Sequence, residues 1–278
     1  MEAAVEDLES LAQSLEETWS RPVIQIERPE SQRGWLEMYF DHAAEADIAA
    51  AATRNWPGII GVSIRAETPR DWQTFWRHHF HASDIGRRLR IVPVWEKDSE
   101  SNRRGREIIW LDPGLSFGTG DHFTTRFCLE MIDRFMDGKQ CTSMLDVGTG
   151  SSILAIAAAK LGSRKTVGID HDEIALAQAR ENIRLNGLDG QIDLTVSDIL
   201  KHPPEGSFDL VCANVYTTVL ISMAKPLMAC TQKMLVLSGI RDPEMDEVAA
   251  AFSAVGMVEC YRDGNGEWGG LALKKPTK

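Results

Sequence analysis

What this chain of 278 residues has little of sets its limits first. Cysteine is sparse and scattered. The five, Cys128, Cys141, Cys212, Cys230 and Cys260, form no C-x-x-C pair, which argues against a zinc cluster or a disulfide framework and fits a reducing compartment. Long apolar runs are lacking. The longest run of small apolar residues, Ile153 to Ala159, stops at Lys160, short of the roughly 18 residues a membrane span needs. The opening residues, MEAAVEDLES, are acidic and do not read as a secretory signal. These absences point to a cytoplasmic protein. Positive charge is also in deficit. Against 41 Asp and Glu there are 30 Lys and Arg, a net charge of −11, which disfavours a broad phosphate-binding face and direct nucleic-acid contact. The deficit is uneven: residues 1–71 hold 14 acidic and 6 basic side chains, whereas 72–107 hold 5 and 8. An acidic front end attracts a basic protein substrate; it is equally what an ordinary solvated surface carries.

The patterning that is present divides the chain in two. Val5, Leu8, Leu11, Leu15 and Trp19 recur at helical spacing. Two strand-like runs follow, Val23–Glu27 and Trp35–Phe40, then a helix from His42 to Arg54 and a strand at Ile59–Arg65. This order describes a small α+β domain over 1–70. Residues 71–107, ending in the polar run KDSESNRRGR, read as a connecting segment. From 108 to 278 strands and helices alternate. Strands are expected at Ser143–Val147, Thr166–Asp170, Ile192–Val196, Leu210–Ala213 and Met234–Leu237, and helices near 152–161, 172–186, 217–229 and 243–254. Such alternation implies an α/β, Rossmann-like doubly wound sheet, mostly parallel. Met257–Arg262 and Leu271–Lys274, around a Gly-Asn-Gly turn, close it as an antiparallel hairpin.

The chemistry concentrates in MLDVGTGSSILAIAAAKLG, a buried strand running through a glycine-rich turn into a helix. Ligands of open α/β sheets bind at such an edge. Gly148 and Gly150 permit a tight turn and close backbone approach. Asp170 ends the next strand, where an acid commonly accepts from ribose hydroxyls. A dinucleotide site needs a small residue where Ile153 stands, so a dehydrogenase is disfavoured. Asp146, two before the first glycine, gives instead a D-x-G-x-G pattern that resembles adenosylmethionine enzymes. Asp198, in TVSDI, either accepts from the adenine amino group or is a turn aspartate. Asn214, at the end of FDLVCANV, either positions a substrate or belongs to a turn. His78, His79 and His81 crowd together without carboxylate or cysteine partners at ligand spacing, and packing accounts for them better than a metal does.

A second motif, LDPGLSFGTGDHFTT at residues 111–125, closely resembles the signature of the PrmA family, methyltransferases of the eleventh protein of the large ribosomal subunit. The likeness runs on through DWQTFWRHHFHASDIGRRLRIVPVWEK, the glycine-rich turn, VGIDHDEIALAQARENIRLNG and FDLVCANV, about three quarters of the chain in order. It implies a class I methyltransferase using S-adenosyl-L-methionine, with cofactor contacts at Thr125, Gly148, Asp170 and Asn214, a loop of Phe117, Gly118, Thr119 and Gly120 over the cofactor, and the family histidine at His122. The chain departs from the family at Asp121, Phe123, Thr149 and Ser152 and in VYTTVL after Asn214. It is also expected to start directly with a helix where the family opens with a strand, and over 1–70, the region that in the family recruits the ribosomal protein, the likeness is weak. Glu267-Trp268 matches a terminal pair of the family.

The resemblance implies N-methylation of α-amino and lysine ε-amino groups of a large-subunit ribosomal protein by a monomer that needs no metal. Asn214 and His122 are the candidate catalytic residues, His122 holding the loop rather than removing a proton. A different protein amine or small molecule as acceptor, and a non-enzymatic nucleoside-binding protein, are the competing readings.

Overall fold

The structure is a computed structural model. It describes residues 1–19, 21, 23–27, 33–40, 42–66, 80–97, 105–112, 122–137 and 141–276. The chain separates into two compact units, Met1–Trp72 and Gln73–Lys278.

The smaller unit is a split β-α-β arrangement. Its elements are β1 (Glu2–Ala4), α1 (Leu8–Trp19), β2 (Ile24–Glu27), β3 (Arg33–Glu37), α2 (Ala43–Thr53) and β4 (Ile59–Gly61). The strands lie in the order β2-β3-β1-β4 with every neighbouring pair antiparallel. The helical spacing of α1 is realised: Leu8, Leu11, Ala12 and Leu15 are buried with Ala3 and Leu36. One expectation is corrected. The chain opens not with a helix but with a three-residue strand, and Ala3 is fully buried within it. A stretch so short, reading only Glu-Ala-Ala, carries no alternation from which a strand can be recognised.

The larger unit holds a seven-stranded sheet in the order β10-β9-β8-β11-β12-β14-β13. Here β8 is Ser143–Val147, β9 Lys165–Asp170, β10 Ile192–Val196, β11 Phe208–Asn214, β12 Thr231–Arg241, β13 Val258–Gly264 and β14 Trp268–Lys274. The first five are parallel, and the last two form the antiparallel hairpin. Successive residues of each strand alternate between two cores. Met144, Leu210, Cys212 and Val236 lie with α3 (Phe123–Phe135) and α4 (Ile153–Lys160). Leu145, Val147, Val211 and Leu237 lie with α6 (Thr217–Ser222), α7 (Ala224–Cys230) and α8 (Met245–Ala254). A sheet covered on both faces explains why these strands read as nearly continuous apolar runs. The single helix expected over 217–229 is two, broken at Met223.

Part of the segment that composition reads as a connector belongs to this unit's core. Strands β5 (Ser83–Ile85), β6 (Leu89–Pro93) and β7 (Glu107–Leu111) form a three-stranded sheet, and Phe80, Ile85, Leu89 and Ile91 are buried among the residues of α3 and α4. Asp133 on α3 pins it, accepting from the Arg87 backbone N–H at 2.7 Å and from Arg88 Nε at 2.7 Å. Leu89→Ala should therefore cost about 2–5 kcal/mol in denaturant unfolding, as a core truncation does. A loss below about 0.5 kcal/mol, the range of surface changes, would return the segment to a connector.

Candidate active site

The order of the seven-stranded sheet reverses between β8 and β11, the place where open α/β sheets bind ligands beyond the carboxyl ends of their strands. The glycine-rich turn leaves β8 there, and Asn214 ends β11 beside it.

The turn is short and backbone-strained. Three alternate residues take positive φ: Gly148 at 70°, Gly150 at 50° and Ser152 at 62°. The left-handed region costs a side-chain-bearing residue about 1–2 kcal/mol, a cost that Ser152 bears and a glycine there would not. The serine is accommodated by a buried relay. Thr149 Oγ1 donates to Asp146 Oδ2 at 2.7 Å and lies 3.0 Å from Ser152 Oγ. The two departures from the family in this turn, Thr149 and Ser152, are thus one interaction. Asp146 is 1% exposed. Its Oδ2 also accepts from the Ala155 N–H at 3.2 Å, in the first turn of α4, while Oδ1 is buried without a partner among the described residues. Burial, the largest effect, pushes its carboxyl up to about 7; the Thr149 and Ala155 hydrogen bonds oppose it, and the nearby Asp170 adds to it. Asp146 therefore faces inward and braces the turn.

Asp170 faces the other way along the same edge. Its Oδ2 accepts from the Gly150 N–H at 3.0 Å and its Oδ1 from the Asp172 N–H at 3.1 Å. Two backbone donors thus orient a carboxylate at the end of β9. Asn214 Nδ2 donates to Thr125 Oγ1 at 3.3 Å, joining residues 89 apart, and Asn214 Oδ1 is buried without a partner among the described residues. Val215 then locks the strand end. A Cβ at Gly148 would lie 2.7 Å from Val215 Cγ1, and one at Gly239 would lie 2.5 Å from the Val215 carbonyl oxygen. The altered segment after Asn214 is therefore seated between two glycines.

His122 caps α3: its Nδ1 accepts from the Thr124 N–H at 3.4 Å and lies 2.8 Å from Thr124 Oγ1. Accepting there leaves Nδ1 without a proton. Burial lowers the ring's pKa, with Glu267 opposing, so the neutral form is favoured. The terminal pair, whose purpose the sequence does not reveal, partners this histidine. Trp268 meets the His122 ring edge-on at 5.2 Å, and Arg241 lies over Trp268 at 5.0 Å and reaches Glu267 at 3.3 Å. No sequence spacing links residues so far apart.

Asp198 lies beyond the end of β10. Its Oδ1 accepts from the Leu200 N–H at 3.0 Å and its Oδ2 takes Lys201 at 3.1 Å. The Leu200 bond, then Lys201, lowers its pKa. Phe117, Gly118, Thr119 and Gly120, with Asp121, lie outside the described residues, as do His78 and His79. His81 Nδ1 lies 3.1 Å from Glu96 Oε1.

Two measurements follow from the turn. Ser152→Ala keeps the positive φ and loses the hydroxyl, so it should cost about 1 kcal/mol in thermal or denaturant unfolding. Ser152→Gly, which exchanges that bond for relief of strain, should stay within about 0.5 kcal/mol of the parent. Equal losses in both would mean that φ at 152 is not strained. For Asp146 the folded pKa lies above the ordinary value of 3.8. Between those values the folded protein keeps a proton that the unfolded chain has released, so this group's contribution to stability is full below about 4 and falls as pH rises towards 7. Asp146→Asn should remove that fall, gaining on the parent by up to about 4 kcal/mol between pH 4 and 8. Parallel stability curves would contradict it.

Comparison with known proteins shows the family. Residues 2–276 match the family described as "Ribosomal protein L11 methyltransferase (PrmA)". A protein of that name from Pelotomaculum thermopropionicum is 34% identical over 231 residues, 82% of this chain and 73% of its own length. One from Geobacter sulfurreducens is 38% identical over 86% of this chain and 81% of its own. The crystal structure of the ribosomal protein L11 methylase from Lactobacillus delbrueckii subsp. bulgaricus superposes with a TM-score of 0.64 at 33% identity, covering 71% of this chain and all of that one.

Proposed function

The chain belongs to the ribosomal protein L11 methyltransferase (PrmA) family, and from that premise we propose that it methylates α-amino and lysine ε-amino groups of ribosomal protein L11. It is an S-adenosylmethionine-dependent methyltransferase. The match reaches back to residue 2, so the family likeness includes the small unit, which composition alone ties to it only weakly. That unit, acidic in its sequence, is assigned to recruiting the basic substrate. Among the described residues no helix is long and apolar enough to cross a membrane. A monomer acting in the cytoplasm without direct nucleic-acid contact completes the proposal.

The residues present suit the cofactor. The observation that carries this is the buried Asn214 carbonyl oxygen, unpartnered among the described residues, at the switch point of the sheet edge on which two amides already orient the Asp170 carboxylate. Asp170 would accept from the ribose hydroxyls, Gly148 and Gly150 let the backbone come close, Thr125 and Asn214 complete the wall, and Phe117, Gly118 and Thr119 are assigned to covering it. Asp146 acts from beneath the turn, and Asp198, beyond the end of β10, is assigned to the adenine amino group. S-adenosylmethionine supplies an activated methyl group on a sulfonium.

Alignment is then the chain's main task. Asn214 Oδ1 accepts from the substrate amine and aims its lone pair. The amine must be neutral. An α-amine with pKa about 8 is partly so at physiological pH, whereas a lysine near 10.4 must first release its proton. His122, neutral and engaged as a helix cap, holds the start of α3 rather than taking that proton.

Asn214→Ala should lower kcat about 10²-fold, a much larger loss than the one it causes in S-adenosylhomocysteine affinity. Equal losses in both would remove Asn214 from the orienting role. The substrate itself is tested by incubating the protein and S-adenosylmethionine with recombinant L11 and recording intact masses. Gains in whole-methyl steps support the proposal; cofactor turnover without gain on L11 sinks it and points to another amine.

A further inference from the structure

Helix α5 (Glu173–Leu185) starts from the cofactor-site acid and reaches the glycine-rich turn a second time further along. At its start, Asp172 caps the helix and donates its N–H to Asp170, which in turn holds Gly150. Deeper in the helix Asn182 is 0% exposed. Its Nδ2 donates to the carbonyl oxygen of Ser151 at 3.1 Å, and its Oδ1 accepts from the backbone N–H of Asp112 at 3.0 Å.

Asn182 has a neighbour on each side along the same helix face. Gln178, four residues earlier, donates to the Asp112 carbonyl at 3.2 Å. Asn186, four residues later, accepts from the Trp110 N–H at 2.9 Å and donates to the Trp110 carbonyl at 2.7 Å. Residues at this spacing share one side of a helix. Strand β7 is the edge of its sheet, and an edge leaves backbone groups needing partners. The three carboxamides take the place of the missing strand for Trp110 and Asp112. Of the three, Asn182 also reaches the glycine-rich turn.

We propose that Asn182 is a positioning residue for cofactor binding: it holds the Ser151 carbonyl, and with it the backbone of 148–151, in register with the end of β7, so that the turn is formed before the nucleoside arrives. The chemistry supports a positioning role over packing alone. A turn with three positive-φ residues has many looser alternatives, and ordering it at the moment of binding subtracts from affinity. An amide that bonds both Ser151 and Asp112 removes those alternatives in advance. The inference rests on reading the turn as the S-adenosylmethionine site.

The test titrates the full-length protein, Asn182→Asp and Asn186→Ala with S-adenosylhomocysteine by calorimetry at pH 8. Thermal unfolding and kcat at saturating cofactor are recorded on the same samples. Asn182→Asp keeps an acceptor for Asp112 but sets a carboxylate oxygen against the Ser151 carbonyl. Affinity should fall about tenfold, with kcat at saturating cofactor within about threefold of the parent. Asn186→Ala loses the β7 bonds without touching the turn, so its Tm should fall while its affinity stays within about twofold. Asn182→Ser, neutral and smaller, gives the same split should the charged variant not fold. Parental affinity in the Asn182 variants overturns the proposal. So does an equal loss of affinity in Asn186→Ala, which would mark a general loosening. A parent protein that binds no S-adenosylhomocysteine overturns the cofactor reading itself, and this inference with it.

Discussion

The larger unit is organised around one awkward passage of backbone. Between the end of β8 and the start of α4 the chain must turn from a buried strand into a buried helix, and it does so with left-handed residues at 148, 150 and 152. Such a turn does not hold itself. Asp146 grips it from below through Thr149 and the Ala155 N–H, and Asp170 grips it from the side through the Gly150 N–H. The inward acid is buried and its ionisation resisted, whereas the outward one is oriented by backbone donors at the sheet edge. Two aspartates, both buried, thus do different work: Asp146 holds the turn from beneath, and Asp170 is held by backbone donors at the sheet edge.

The departures from the family become intelligible within this frame. Thr149 and Ser152 bond each other where cysteine and glycine usually stand, so each depends on the other. Val215 sits where Gly148 and Gly239 leave room for it, and it fixes the end of β11 at Asn214.

Much of this was legible from sequence, for physical reasons that differ by element. Strands β8, β11 and the middle of β12 are buried on both faces, so their apolar runs announce them. The turn is legible because glycine stands where positive φ is required. What was missed depends on long-range contact. The opening strand Glu2–Ala4 forms because β3 and β4 flank it, not because Glu-Ala-Ala favours a strand. The strands around Ile85 and Leu89 were hidden in a segment rich in tryptophan, histidine and arginine, whose polar tail looked like a boundary. Trp268 acquires its partner only when the closing hairpin brings it to His122, and the carboxamide ladder of α5 is invisible until β7 lies beside it.

The central claim is that the strained turn and the oriented carboxylate form the nucleoside site. A crystal structure with S-adenosylhomocysteine tests it most directly. The account predicts the ribose hydroxyls on the Asp170 carboxylate, the backbone of Gly148 and Gly150 against the ligand, and the amino-acid end of the ligand towards Thr125 and Asn214. A ligand bound away from the β8–β11 switch point, or one that leaves Asp170 untouched, would contradict it.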